Sequence, residues 1–97
     1  MGYRLEYSKR AKKDAQLLER SGLEKKAKEL LGTIRRNPLE PHFEKLAGDC
    51  KGCFSRRING QPRVVYELLP NTENLLDRNG ELYEGIAHII RMWTHYE

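Results

Sequence analysis

At the start of the chain polar and apolar side chains alternate. In GYRLEY, Tyr3, Leu5 and Tyr7 share one face, and Arg4 and Glu6 the other. A period of two predicts a short half-buried strand. Ser8 then offers an N-cap, Ala11, Ala15 and Leu18 recur at helical spacing, and Gly22 follows as a stop. From about Leu23 a second apolar stripe runs through Ala27, Leu30, Leu31 and Ile34, while Glu24, Lys25, Lys26, Lys28 and Glu29 lie on the solvated side. Asn37-Pro38 ends this helix, because the residue before a proline is pushed out of helical geometry. The two helices form a hairpin with a short joint.

Residues 37–51 are poor in apolar residues, show no clean period, and contain Pro38, Pro41 and Gly48. They read as a loop anchored by Phe43 and Leu46, and loops laid over a rigid sheet often carry catalytic residues. Two strands follow, at about 53–58 and 62–69, with Asn59-Gly60 as the turn signal. The polar stretch 70–85 is either a long loop or a small extra hairpin. The ending IAHIIRMWTHYE has apolar residues on both faces, which suggests a central strand; period alone leaves a helix open, and the β-branched and aromatic content favours strand. The order strand, helix, helix, three strands predicts an α+β fold: an N-terminal strand and a two-helix hairpin packed on a mainly antiparallel four-stranded sheet. No repeat and no second domain is visible, so 1–97 reads as one domain.

Composition narrows the class. With 97 residues, 38% hydrophobic and 33% charged, the chain is long enough for one modest core and too apolar to be disordered. A net charge of +4 favours a polyanion or an acidic protein as partner. No apolar run approaches the roughly 20 residues that span a membrane. The start MGYRLEYSKR lacks a signal-peptide core, and Glu6 stands where a myristoylation motif has Ser or Thr. A cytoplasmic protein without a membrane partner is the expectation. Cys50 and Cys53 are spaced CxxC, a redox pair or half a zinc site in other contexts. Here they lead into a strand, and His42, His88 and His95 give no HxxxH spacing, so the expectation is two reduced thiols at a loop–strand junction. No cofactor is implied.

Several segments together resemble one family. Phe43-Glu44-Lys45-Leu46, then Gly52-Cys53-Phe54-Ser55-Arg56-Arg57-Ile58, then Arg63-Val64-Val65-Tyr66, and the terminal Thr94-His95-Tyr96 look like the Txe/YoeB family of bacterial toxins, in the RelE superfamily. Arg35-Arg36-Asn37-Pro38 also fits. The resemblance implies a RelE-like fold and the toxin of a type II toxin–antitoxin module. It further implies a ribosome-dependent endoribonuclease that cuts mRNA in the A site, held silent by a cognate antitoxin, with a homodimer as a further state. The family's general base falls on Glu44, its phosphate-binding arginines on Arg57 and Arg63, and its general acid on His95 with Tyr96 beside it. Arg56, next in sequence, is a further candidate substrate contact. The chain departs from the family at Ala47 and Gly48, where Lys and His are frequent, and its 70–85 segment is longer than in short members.

The residue types suit that chemistry on their own terms. Metal-free RNA cleavage needs a base for the 2′-OH, cations for the phosphorane, and an acid for the departing 5′-oxygen. A carboxylate, arginines and a histidine supply them, and no HxxE or carboxylate cluster argues for a metal. Each residue taken alone also has a plainer reading. Glu44 is then a solvated loop glutamate, His95 a surface or strand histidine, and Arg56 and Arg57 solubilise a strand. Trp93 and Tyr66 read as packed, His42 and His88 as bystanders, and the lysine-rich helix faces as ordinary solvated surface.

The hairpin register separates the arginines. A two-residue turn sets Arg56 opposite Arg63, and a three-residue turn sets Arg57 there. The resemblance favours the second, so Arg57 is expected to share the anion site. Two rivals remain: a same-fold non-nuclease toxin of the ParE type that inhibits gyrase, and a basic nucleic-acid-binding regulator.

Overall fold

The computed structural model describes residues 2–46, 52–58 and 62–93. Strand β1 (Tyr3–Tyr7) leads into helix α1 (Lys9–Arg20) and helix α2 (Glu24–Arg36). Then come β2 (Glu44–Lys45), β3 (Cys53–Arg57), β4 (Arg63–Leu69) and β5 (Gly85–Arg91). The sheet runs β1-β5-β4-β3-β2, with β1 parallel to β5 and the other pairs antiparallel. The α+β expectation holds with one strand more than foreseen. Glu44–Lys45 lies inside the segment read as loop, and two residues are too few for a period to register. The predicted turn Asn59-Gly60 lies outside the described residues, as does Cys50.

The helix signals act as read. Ser8 caps α1 by accepting from the Ala11 amide at 3.0 Å, and its own hydroxyl donates to the Ile90 carbonyl at 2.7 Å. One side chain therefore ends β1, starts α1 and ties both to β5. The helices bury Ala11, Leu18, Ala27 and Ile34 against Val64, Tyr66, Ala87 and Ile89 of the sheet. At Gly85 a Cβ would stand 2.8 Å from the Tyr3 ring and 2.9 Å from the Leu69 carbonyl, so the close approach of β1 to β5 needs glycine there. β5 is an interior strand, flanked by β1 and β4 as its two-sided apolar pattern implied, and Trp93 packs against the core. A bulge between Val65 and Tyr66 leaves Ile90 as the extra residue on β5.

Asp14 was not visible in the sequence as a core residue. It lies on the buried stripe of α1 and is 4% exposed. Its carboxylate accepts from Arg91 Nε at 2.8 Å, from Arg91 Nη2 at 3.4 Å and from the Met92 amide at 3.0 Å. α1 thereby fixes the direction in which the chain leaves β5.

The 70–85 segment resolves as the hairpin alternative. Leu76 and Leu82 form an antiparallel bridge, and the turn closes on Asp77, whose carboxylate accepts from the Asn79 and Glu81 amides. Asn71 clamps the base, donating to the Leu75 and Tyr83 carbonyls and accepting from the Leu75 amide. Among the described residues no helix is long and apolar enough to cross a membrane. Cys53 is disulfide-bonded, which corrects the expectation of reduced thiols.

Removing one partner of a buried ion pair strands the other charge and typically costs about 3–5 kcal/mol. Asp14→Ala is expected to lose about 3 kcal/mol, near the low end of that range, because the Arg91 side chain keeps some contact with solvent. Urea unfolding followed by circular dichroism checks this.

Candidate active site

β3 and β4 set the register. Arg57 pairs with Arg63 and Arg56 with Val64, and the Ile58 amide donates to the Pro62 carbonyl at 2.8 Å. Side chains alternate across a strand, so Cys53, Ser55 and Arg57 point to one face, and Phe54 and Arg56 to the core face that carries Val64 and Tyr66. Glu44 on β2 pairs with Ser55 and so joins the face of Arg57 and Arg63. The Arg57–Arg63 pairing agrees with the three-residue alternative.

The site face therefore gathers Glu44, Ser55, Arg57 and Arg63. Arg63 Nη1 lies 3.2 Å from Glu44 Oε1 and 3.4 Å from Ser55 Oγ. The Arg63 side chain is 24% exposed and that of Glu44 61%. Like charges directly opposite on paired strands repel. Glu44 relieves Arg63, and Arg57 is exposed with no carboxylate partner among the described residues. An anion placed here would meet Arg57 at little desolvation cost to the protein. His42, Phe43, Glu44, Ser55 and Arg57 line a cleft of ≈ 280 Å³ beside these groups. His95 and Tyr96 lie outside the described residues.

Arg56 departs from its expected role. It is 4% exposed, and its guanidinium turns to the core side. Nε donates to the Tyr66 hydroxyl at 3.2 Å, Nη1 to the His42 carbonyl at 3.4 Å, and Nη2 to the Pro38 carbonyl at 3.1 Å and the Glu40 carbonyl. Its Cζ also lies 5.8 Å from the Phe43 ring centroid. The expectation of a substrate contact is corrected: the donors are spent on the loop that carries Glu44. Arginine fits because a planar fork reaches several carbonyls at once, whereas an ammonium is a single point. Tyr66 completes the joint, donating to the Pro38 carbonyl at 2.6 Å. Burial pushes its hydroxyl above the ordinary 10.0, against the opposing pull of Arg56.

Two further residues escaped the sequence reading. Ser55 is 1% exposed and steadies Arg63; its pairing with Glu44 needed the β2 strand to be known. His42 lines the cleft. His88 lies on β5, with Nδ1 3.2 Å from Glu67 Oε1.

In Arg56→Lys one ammonium offers three donors to four acceptors, so at least one buried contact is lost. At about 1–3 kcal/mol for a buried unsatisfied group, a loss of about 2 kcal/mol is expected in urea unfolding. Tyr66→Phe probes pH. A raised hydroxyl pKa means that its stabilisation is complete below pH 10 and declines as pH rises from there toward the raised value. Stability measured between pH 9 and 11 should fall less steeply in the variant than in the parent.

No family model matches the chain, and no curated protein matches it by sequence. Solved structures do. The YoeB dimer from Staphylococcus aureus aligns at 29% identity and a TM-score of 0.71, over 99% of this chain and 100% of that one. The YoeB–YefM complex from the same organism aligns at 30% identity and a TM-score of 0.67, over 99% and 100%. A YoeB/ParE toxin from Agrobacterium tumefaciens, 23% identical over 96% and 99%, shares the fold at a TM-score of 0.75. With the sheet order, the helix hairpin and near-complete coverage at 30% identity in agreement, the chain belongs to the YoeB-like toxins of the RelE superfamily.

Proposed function

We propose that this toxin is a metal-independent endoribonuclease that cuts mRNA in the ribosomal A site and so halts translation. The observation that carries the reading is the Glu44–Arg63 contact at 3.2 Å on the sheet face shared with Arg57. It places a carboxylate beside a guanidinium, with a second cation opposite, which is what a phosphate and its neighbouring 2′-OH require.

In this mechanism the Glu44 carboxylate takes the 2′-OH proton. The 2′-oxygen attacks phosphorus, and Arg63 and Arg57 hold the added charge on the phosphorane oxygens. The bond from phosphorus to the 5′-oxygen breaks as His95, with Tyr96 beside it, delivers a proton to that oxygen. The products are a 2′,3′-cyclic phosphate and a free 5′-hydroxyl. Arginine suits the charge-holding role because its fork grips two oxygens and stays protonated.

The complex with YefM and the dimer seen for the Staphylococcus aureus toxin support an antitoxin partner and a homodimer for this chain as well. Ribosome and mRNA as targets place the action in the cytoplasm. The fold shared with a YoeB/ParE toxin keeps a non-nuclease, gyrase-directed toxin as the second reading.

Primer-extension mapping of a defined mRNA, with and without programmed ribosomes, tests the choice. Cuts in the A site are expected only with ribosomes. Glu44→Gln and His95→Ala should each lower the cleavage rate by about 10²–10⁴, the usual range for acid–base groups. Arg63→Ala should lower it by about 10²–10³. Growth arrest without cuts, unchanged by these substitutions, would favour the second reading.

A further inference from the structure

We infer that Asp14 is a positioning residue for the general acid: from helix α1 it sets where the chain leaves β5, and so where His95 stands against the scissile phosphate. The inference rests on the nuclease reading and deepens it, since the mechanism above uses no residue of α1.

The sheet register shows why this exit matters. Arg91 pairs with Val65, Val65 with Ser55 and Ser55 with Glu44, so the last residue of β5 stands in one row with the proposed base. Arg63 lies two residues along β4 from Val65, about 7 Å away. β5 is antiparallel to β4, so a straight continuation past Arg91 would run along Val64 and Arg63. The chain bends at Met92 and Trp93 instead. Met92 is 3% exposed, and Trp93 packs on the core. His95 is three positions beyond Met92, and three residues reach at most about 11 Å. A small error in the bend is therefore carried straight to the acid.

Asp14 holds that bend. Its Oδ2 accepts from Arg91 Nε at 2.8 Å and from the Met92 amide at 3.0 Å, and its Oδ1 lies 3.4 Å from Arg91 Nη2. Stability alone does not call for a carboxylate here. Asp14 shares the buried stripe of α1 with Ala11 and Leu18, where well-packed apolar side chains are often as stabilising as a buried ion pair. An apolar side chain, however, has no acceptor for the Met92 amide. The support is fixed as well. Ser8 caps α1 and donates to the Ile90 carbonyl, which ties the start of the helix to the end of β5.

Asp14→Asn is close in shape and keeps one acceptor oxygen. On programmed ribosomes it should lower kcat about ten-fold with KM unchanged, part of the 10²-fold that a misplacement of about 1 Å can cost. An mRNA with sulfur in place of the 5′-oxygen at the cut isolates the acid's role. A thiol has a pKa of about 8.5, so a thiolate leaves without being protonated. On this mRNA the losses of His95→Ala and Asp14→Asn should both disappear, while that of Glu44→Gln remains. In a His95→Ala background Asp14→Asn should have no further effect. Arg91→Gln leaves the Met92 contact in place and should show the same pattern with a smaller loss, which covers the case of a poorly folded Asp14→Asn.

Equal losses on both mRNAs, a loss confined to KM, additivity with His95→Ala, or no loss would overturn the positioning role and leave the nuclease reading standing. If His95→Ala itself loses equally on both mRNAs, or the parent makes no cut, the acid assignment falls and this inference with it.

Discussion

A buried guanidinium organises this molecule. Arg56 sits under β3 with no carboxylate in contact among the described residues, satisfied by the Tyr66 hydroxyl and three carbonyls of the segment 38–42. A charge in that position is tolerable only while all those oxygens point at it, since an unpaired buried charge costs several kcal/mol. The constraint works in both directions: the loop is held because the charge needs it, and the charge is held because β3 and β4 pack around it. Glu44 follows directly after that loop, so the carboxylate reaches the far face of the sheet from a fixed starting point.

The two neighbouring arginines divide the labour. On one strand Arg56 turns inward and Arg57 outward, and the pairing of Arg57 with Arg63 concentrates positive charge on the site face. The repulsion is lessened by Glu44 and by the Ser55 hydroxyl, both in contact with Arg63. In the proposed mechanism the base restrains, before substrate arrives, the cation that would hold phosphate, and an incoming phosphate would compete for a guanidinium that is already placed.

Much of this was legible in the chain. Period two marked β1, the two stripes marked the helices, and the residues between the arginines set their register once a three-residue turn was chosen. Other features were hidden for physical reasons. Arg56 shares its parity with Phe54 and Ile58, a signal of an inward position that the charge itself obscured. Asp14 lies between Ala11 and Leu18 on the apolar stripe of α1, and its partners Arg91 and Met92 are remote in sequence. β2 is two residues long and exists through its pairing with β3, which no local pattern records. His95 and Tyr96 rest on the resemblance alone.

The sheet order has a consequence for how the protein is made. β1 has one neighbour in the sheet, β5, and the two are 82 positions apart along the chain. During synthesis β1 therefore stays unpaired until β5 arrives, with Tyr3 and Leu5 lacking their core. Distant pairings of this kind slow folding and prolong the exposure of strand edges. Until β5 is made, Asp14 has neither Arg91 nor Met92 to bind, and the helix hairpin has no finished sheet to lie on. The newborn chain is thus set apart from the mature toxin by topology, and maturation is timed by the arrival of residues 85–92.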